Sequence, residues 1–135
     1  MKIIMLIGIP ACGKTSFCKK FLPDLLRISR DDIGDTKKEH QLIEKQLQEN
    51  NDFVIDDINH TKNTRQKIFE IINPYDAKVT GIFFNFSIDR CLQQNSKREK
   101  PLPDAAIGRR NKELEPPLMD EGFDFIQRLD DSFMF

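Results

Sequence analysis

At 135 residues and a formal net charge of −1, the chain has the length of one domain and enough residues for a hydrophobic core without staples. The near-neutral balance excludes a coat protein that binds nucleic acid by bulk charge, so any contact with a polyanion must be local. Cys12, Cys18 and Cys91 show neither metal-ligand spacing nor an even-numbered framework, which predicts reduced thiols in an intracellular protein, cytoplasmic or nuclear.

The apolar run over residues 2–8 predicts a parallel strand buried on both faces. It leads straight into a glycine motif, so it is not read as a signal region, and no run is long enough for a membrane span. A helix is expected from Lys14 to about Phe21, stopped by Pro23. A short strand follows over Leu25–Ile28, and a mostly polar helix over residues 36–50 with a narrow stripe of Leu42, Ile43 and Leu47. Phe53-Val54-Ile55 reads as a third strand, closed by Asp56-Asp57. Residues 62–73 read as a helix ended by Pro74, and residues 78–86 as the strongest strand, with Phe83, Phe84 and Phe86 as core. A helix from Ile88 to about Asn95 precedes a basic, proline-punctuated connector over residues 96–104. A helix from about Ala105 to Leu114 and a further strand within Gly122–Leu129 complete the chain. The tail Phe133-Met134-Phe135 reads equally as core edge or exposed end. Alternating strands and helices argue a three-layer α/β domain on a parallel sheet.

Gly8-Ile9-Pro10-Ala11-Cys12-Gly13-Lys14-Thr15 matches G-x-x-x-x-G-K-[ST] between a strand and a helix start, the context this motif requires. Such a loop turns successive backbone N–H groups inward around a phosphate, and the following helix presents its positive end to the anion. Lys14 is placed to reach the β- and γ-phosphates, and Thr15 to ligate Mg²⁺. The expected phosphate contacts run from Gly8 through Ile9, Pro10, Ala11, Cys12, Gly13, Lys14 and Thr15 to Ser16. Cys12, close to a helix N-terminus, is expected to carry a lowered thiol pKa, against the plainer reading of a small loop residue.

Phosphoryl transfer also needs a base for the attacking hydroxyl and a cation over the transferring group. Asp31-Asp32 and Asp56-Asp57 lie at carboxyl ends of predicted strands, where ligands bind in open α/β sheets. Lys97, Arg98 and Lys100 form a basic run suited to covering phosphates. Arg109 and Arg110 read equally as part of that cover or as a solvated face, and Lys37, Lys38 and Lys45 as surface residues.

The stretches Ile28-Ser29-Arg30-Asp31-Asp32-Ile33-Gly34, Phe53-Val54-Ile55-Asp56-Asp57-Ile58-Asn59, Phe84-Asn85-Phe86 and Asn95-Ser96-Lys97-Arg98-Glu99 recur in order, followed by Glu115-Pro116-Pro117 and Glu121-Gly122-Phe123. Together they resemble the 5′-hydroxyl polynucleotide kinases, and the kinase domain of animal polynucleotide kinase-phosphatases more than the bacteriophage enzyme. The resemblance implies a P-loop NTPase fold with a central parallel sheet of four to five strands, in a single domain over 1–135 with a helical lid at about 96–112. It implies ATP and Mg²⁺ as cofactors and the 5′-hydroxyl end of DNA or RNA as acceptor. Asp31 would be the general base, Arg98 the lid arginine, and Arg30, Asp31 and Asn59 the acceptor contacts. Thr15 with Asp56 or Asp57 would serve the metal, the choice between the two acids staying open.

Some positions depart from the family. Gly34 stands where the bacteriophage type has an arginine for a substrate phosphate, although the animal type also has glycine. Ile58 stands where both types place a threonine, and no Asp-x-Asp-Gly-Thr phosphatase signature occurs. Two other readings remain: a P-loop kinase of a small metabolite or nucleoside, and a nucleotide-switched binding protein.

Overall fold

The computed structural model describes residues 1–135. Five strands, β1 (Lys2–Ile7), β2 (Leu26–Ile28), β3 (Phe53–Ile55), β4 (Lys78–Phe84) and β5 (Phe125–Leu129), form one sheet in the order β2-β3-β1-β4-β5. Every pairing is parallel. The central strand β1 sets Ile3 and Met5 opposite Phe53 and Ile55, and Ile7 opposite Phe83.

The period of two along each strand explains the layers. Ile3, Met5, Ile7, Phe53, Ile55, Val79 and Phe83 point to one side, where Ile43 and Leu47 of α3 (Thr36–Gln48) and Ile68, Phe69 and Ile72 of α4 (Lys62–Ile72) cover them. Leu6, Val54, Ile82 and Phe84 point to the other. They meet Phe17 and Cys18 of α1 (Lys14–Phe21), Cys91 of α5 (Ile88–Ser96) and Ile107 of α6 (Asp104–Glu113). Both faces are thus covered, as a parallel sheet demands. Side-chain caps start three of these helices: Asp35 accepts from the Lys38 N–H at 3.0 Å, Thr61 from Thr64 at 3.2 Å and Ser87 from Arg90 at 3.3 Å.

The structure corrects or settles the sequence reading in three places. The fourth strand stops at Phe84, two residues early, the Asn85 N–H making the last bond of its ladder to the Leu129 carbonyl of the neighbouring strand. Arg30–Ile33, read only as the end of a strand, forms a single helical turn, α2, which Gly34 ends at φ +84°. The tail, left open in sequence between core edge and exposed end, is both: Met134 is 81 % exposed, while its two phenylalanines pack. Phe133 and Phe135 meet edge to face, and the Phe135 ring lies against Gly13 so closely that a Cβ there would sit 2.7 Å from it. Gly13 also holds φ +97°, so glycine is required there twice over. No helix is long and apolar enough to cross a membrane.

The Glu121-Gly122-Phe123 segment serves the fold. Phe123 packs edge to face on Phe69, and Glu121 holds the fully buried Arg65 through bonds of 2.7 and 3.2 Å. Arg65 in turn donates to the Asn59 carbonyl at 2.8 Å. Removing one partner of a buried pair strands the other's charge, at a cost of about 3–5 kcal/mol. Glu121→Ala is therefore expected to lower unfolding stability by an amount in that range, read from urea denaturation, whereas a loss well below 1 kcal/mol would show the pair to be incidental.

Candidate active site

Residues 8–15 wrap the carboxyl end of β1, with Ala11 at φ 68° and Gly13 at φ 97° bending the loop so that α1 begins at Lys14. The Lys14 ammonium, 8 % exposed, folds back to donate to the Gly8 and Ile9 carbonyls, each at 2.9 Å. Beside the loop lies a cavity of about 240 Å³ walled by Gly13, Lys14, Thr15, Ser16, Gln94 and Arg98. The structure thus brings Arg98, distant in sequence, to the mouth of the loop. Arg98 is exposed. The segment carrying it is closed by Asn95, whose amide donates to the Leu102 carbonyl at 2.7 Å and accepts from the Leu102 N–H at 3.0 Å.

Cys12 departs from expectation. Its thiol is 1 % exposed and faces the core rather than the helix mouth. Burial pushes its pKa up, overcoming the nearby Lys14 ammonium, which donates to the sulfur at 3.5 Å. The proximity of a helix N-terminus does not lower the pKa of this buried thiol.

The two acids after β3 separate. The Thr15 hydroxyl donates to Asp56 Oδ2 at 2.9 Å, and the Asp56 side chain is almost fully buried. A hydroxyl and a carboxylate side by side are hard oxygen donors that fit magnesium. Asp57 points the other way. Its Oδ1 accepts the Arg30 N–H at 2.8 Å, fixing the start of α2, so Asp57 braces that turn and does not join Thr15. The sequence reading missed Arg27. Its guanidinium donates to Asp56 at 2.6 Å, to Asp32 at 2.5 Å and to Thr15 Oγ1 at 3.3 Å. A charged residue in the middle of a three-residue strand, Leu26-Arg27-Ile28, was the available signal.

Asp31, on α2, is exposed and makes no hydrogen bond. It lines a cavity of about 320 Å³ with Pro10, Arg30, Asp57, Leu102 and Arg110. A second cavity of about 250 Å³ shares Arg30, Asp57, Ile58 and Arg110 and continues to Asn59, His60 and Thr64. The two form one cleft leading from the phosphate loop. Asn59, 1 % exposed, sits at φ 45°, a left-handed conformation that asparagine tolerates better than most residues.

Behind the cleft lies Glu39, fully buried on α3 and 3.4 Å from the Arg30 guanidinium. Burial first, and then a hydrogen bond with Asp57, push its pKa up to about 8. A proton shared between the Glu39 and Asp57 carboxyls would supply partners for two otherwise unmatched oxygens, Glu39 Oε2 and Asp57 Oδ2. The folded state then holds a proton that the unfolded chain releases above about pH 4.5. This contribution to stability is complete below that pH and is lost as pH rises towards about 8. Between those limits the wild-type Tm is expected to fall by several degrees, and Glu39→Gln, whose amide donates without titrating, to flatten the slope. Parallel slopes in thermal melts would refute the shared proton.

No family model matches the chain. Over 64 residues it is 27 % identical to L-seryl-tRNA(Sec) kinase of Mus musculus, a match covering 47 % of this chain and only 18 % of that protein. Among solved structures, a gluconokinase from Sinorhizobium meliloti 1021 superposes with TM-score 0.71 at 13 % identity, covering 98 % of this chain and 84 % of that one. A chain of the Pnkp1/Rnl/Hen1 RNA repair complex superposes with TM-score 0.74 at 20 % identity, covering 84 % of this chain and 43 % of that one. With the strand order and the phosphate loop, these likenesses define the fold as that of the P-loop kinases.

Proposed function

We propose that the chain is an ATP-dependent phosphotransferase acting on 5′-hydroxyl ends of DNA or RNA. The observation that carries this reading is the unpaired Asp31 carboxylate in a cleft that reaches Pro10 of the phosphate loop and is flanked by Arg30 and Arg110. Such a cleft offers a base for a hydroxyl and cations for an acceptor phosphate beside the site of a nucleotide's terminal phosphate. Likeness to a chain of an RNA repair complex supports it.

In this reading residues 8–16 hold the ATP phosphates, with Lys14 leaving its two carbonyls to meet the β- and γ-oxygens. Thr15 and Asp56 hold Mg²⁺, which when bound neutralises developing phosphate charge. Asp31 takes the proton of the 5′-hydroxyl as its oxygen attacks the γ-phosphorus, and ADP leaves. Arg98 steadies the equatorial oxygens, while Arg30 and Asn59 contact the acceptor. Asp57 is assigned to bracing α2.

The test is transfer of labelled γ-phosphate, with Mg²⁺, to a 5′-hydroxyl oligonucleotide, with its 5′-phosphorylated form as control. Transfer to the hydroxyl form alone is expected. ATP binding without transfer to DNA or RNA would overturn the reading. A small-molecule acceptor is the second reading, favoured by the modest cleft volumes and the gluconokinase likeness.

A further inference from the structure

Five buried polar side-chain atoms lack a partner: Arg30 Nε, Asp57 Oδ2, Asn59 Oδ1 and His60 Nδ1, on residues that line one cleft, and Glu39 Oε2 behind it. A buried polar atom that nothing meets is costly, so such a cluster calls for an explanation. The proton shared by Glu39 and Asp57 accounts for two. Arg30 Nε, Asn59 Oδ1 and His60 Nδ1 remain; Asn59 and His60 line the 250 Å³ cavity and are more than nine-tenths buried.

Their polarity is fixed by what their other atoms do. The Asn59 amide nitrogen donates to the Leu6 carbonyl at 2.8 Å, so a flipped amide would set two oxygens against each other. His60 Nε2 faces Glu113 Oε1 at 3.2 Å, and that carboxylate can only accept. In the tautomer that donates to Glu113 through Nε2, Nδ1 offers a lone pair. Glu113, through which His60 ties the loop after β3 to α6, is held in turn by Arg110 at 2.8 Å. The hydroxyl of Thr64 accepts from Thr61 at 2.9 Å and keeps its own proton to donate. The inner wall is thus rich in acceptors, while Arg30 and Arg110 stand where this cavity joins the one lined by Asp31. A ligand reaching this wall must bring hydrogen-bond donors, and an anionic group of the same ligand would meet the arginines.

We propose that the cavity of Asn59, His60 and Thr64 is a subsite for the acceptor's terminal nucleoside, recognised through a hydrogen-bond donor that it presents to Asn59 Oδ1 and His60 Nδ1. This rests on the polynucleotide reading given above. Two groups of a nucleoside can supply the donor: an exocyclic amino group of the base or the 2′-hydroxyl of the ribose. Recognition of this kind discriminates well, because the analogue without the donor leaves buried acceptors unpaired.

The test uses three 5′-hydroxyl oligonucleotides that differ only in the terminal unit: adenosine, deoxyadenosine and purine riboside, the last lacking the amino group. In the wild type, one of the two deletions is expected to raise KM about tenfold with little change in kcat. In His60→Ala the same pair should differ far less, and His60→Phe, which keeps the ring's bulk without its lone pair, serves as a second variant should His60→Ala fold poorly. Equal KM values for all three ends in the wild type would overturn the subsite while leaving the kinase reading intact. Absence of transfer to all three, with ATP binding retained, would overturn both.

Discussion

Arg98→Ala is expected to reduce phosphate transfer by about 10³–10⁵ while leaving Tm within a degree or two of the wild type. Both halves of that expectation come from where the residue sits. Arg98 stands at the mouth of the phosphate loop, across a cavity it shares with Lys14 and Thr15, where the proposed mechanism would put the transferring phosphoryl group. It is exposed, and the segment that carries it is held by Asn95 and Leu102 rather than by the guanidinium. Nothing in the folded state depends on its charge. A large fall in Tm would make Arg98 structural, and near-normal turnover would remove it from the mechanism. ATP affinity, measured by calorimetry, should weaken far less than turnover, because the charge is needed most where the transition state spreads its own.

Asp31→Asn should lower transfer by about 10²–10⁴ and spare ATP binding. Asparagine keeps the shape of the side chain and its place on α2 but cannot take a proton. The backbone that positions it is anchored by Asp57 on the Arg30 N–H, not by Asp31 itself, so the turn should persist. The carboxylate has no competing partner, which leaves it free for an incoming hydroxyl. Equal loss of ATP binding would show that Asp31 acts on the nucleotide and would sink its assignment as base.

The fold was largely legible because its signals are local. An unbroken apolar run entering a glycine motif can be a buried parallel strand in few other ways, and the prolines at 23 and 74 mark helix ends without reference to anything distant. The phosphate loop was legible for the same reason. What stayed hidden depends on partners far apart in the chain. Arg65 lies on the same helix face as Ile68, Phe69 and Ile72, so the pattern marks it as buried, but only the fold brings Glu121 to it. Glu39 lies likewise on the buried face of α3, and its proton follows from meeting Asp57, which spacing does not reveal. The expectation for Cys12 failed because a helix terminus has an inside and an outside. Sequence gives the terminus, and only packing gives the side on which the thiol lies. Asp56 and Asp57 could not be told apart in sequence because neighbouring residues at a strand end point in opposite directions, one to Thr15 and the other to α2.

In the proposed mechanism, the arginine on β2 would turn metal entry into an ion exchange. Arg27 already neutralises Asp56 and touches Thr15, the two groups that fit a divalent cation. An incoming ion must therefore evict a resident charge rather than settle into an open seat. Free Mg²⁺ has only its own hydration to trade and should compete poorly. A metal–nucleotide complex brings phosphates for Lys14 and the loop amides, so it can drive the exchange, while Asp32 retains the displaced guanidinium on the same side. The protein would then admit metal only as cargo of the nucleotide. Arg27→Met, which empties the seat, should raise affinity for Mg²⁺ alone in calorimetric titration; unchanged affinity would show that the arginine yields without cost.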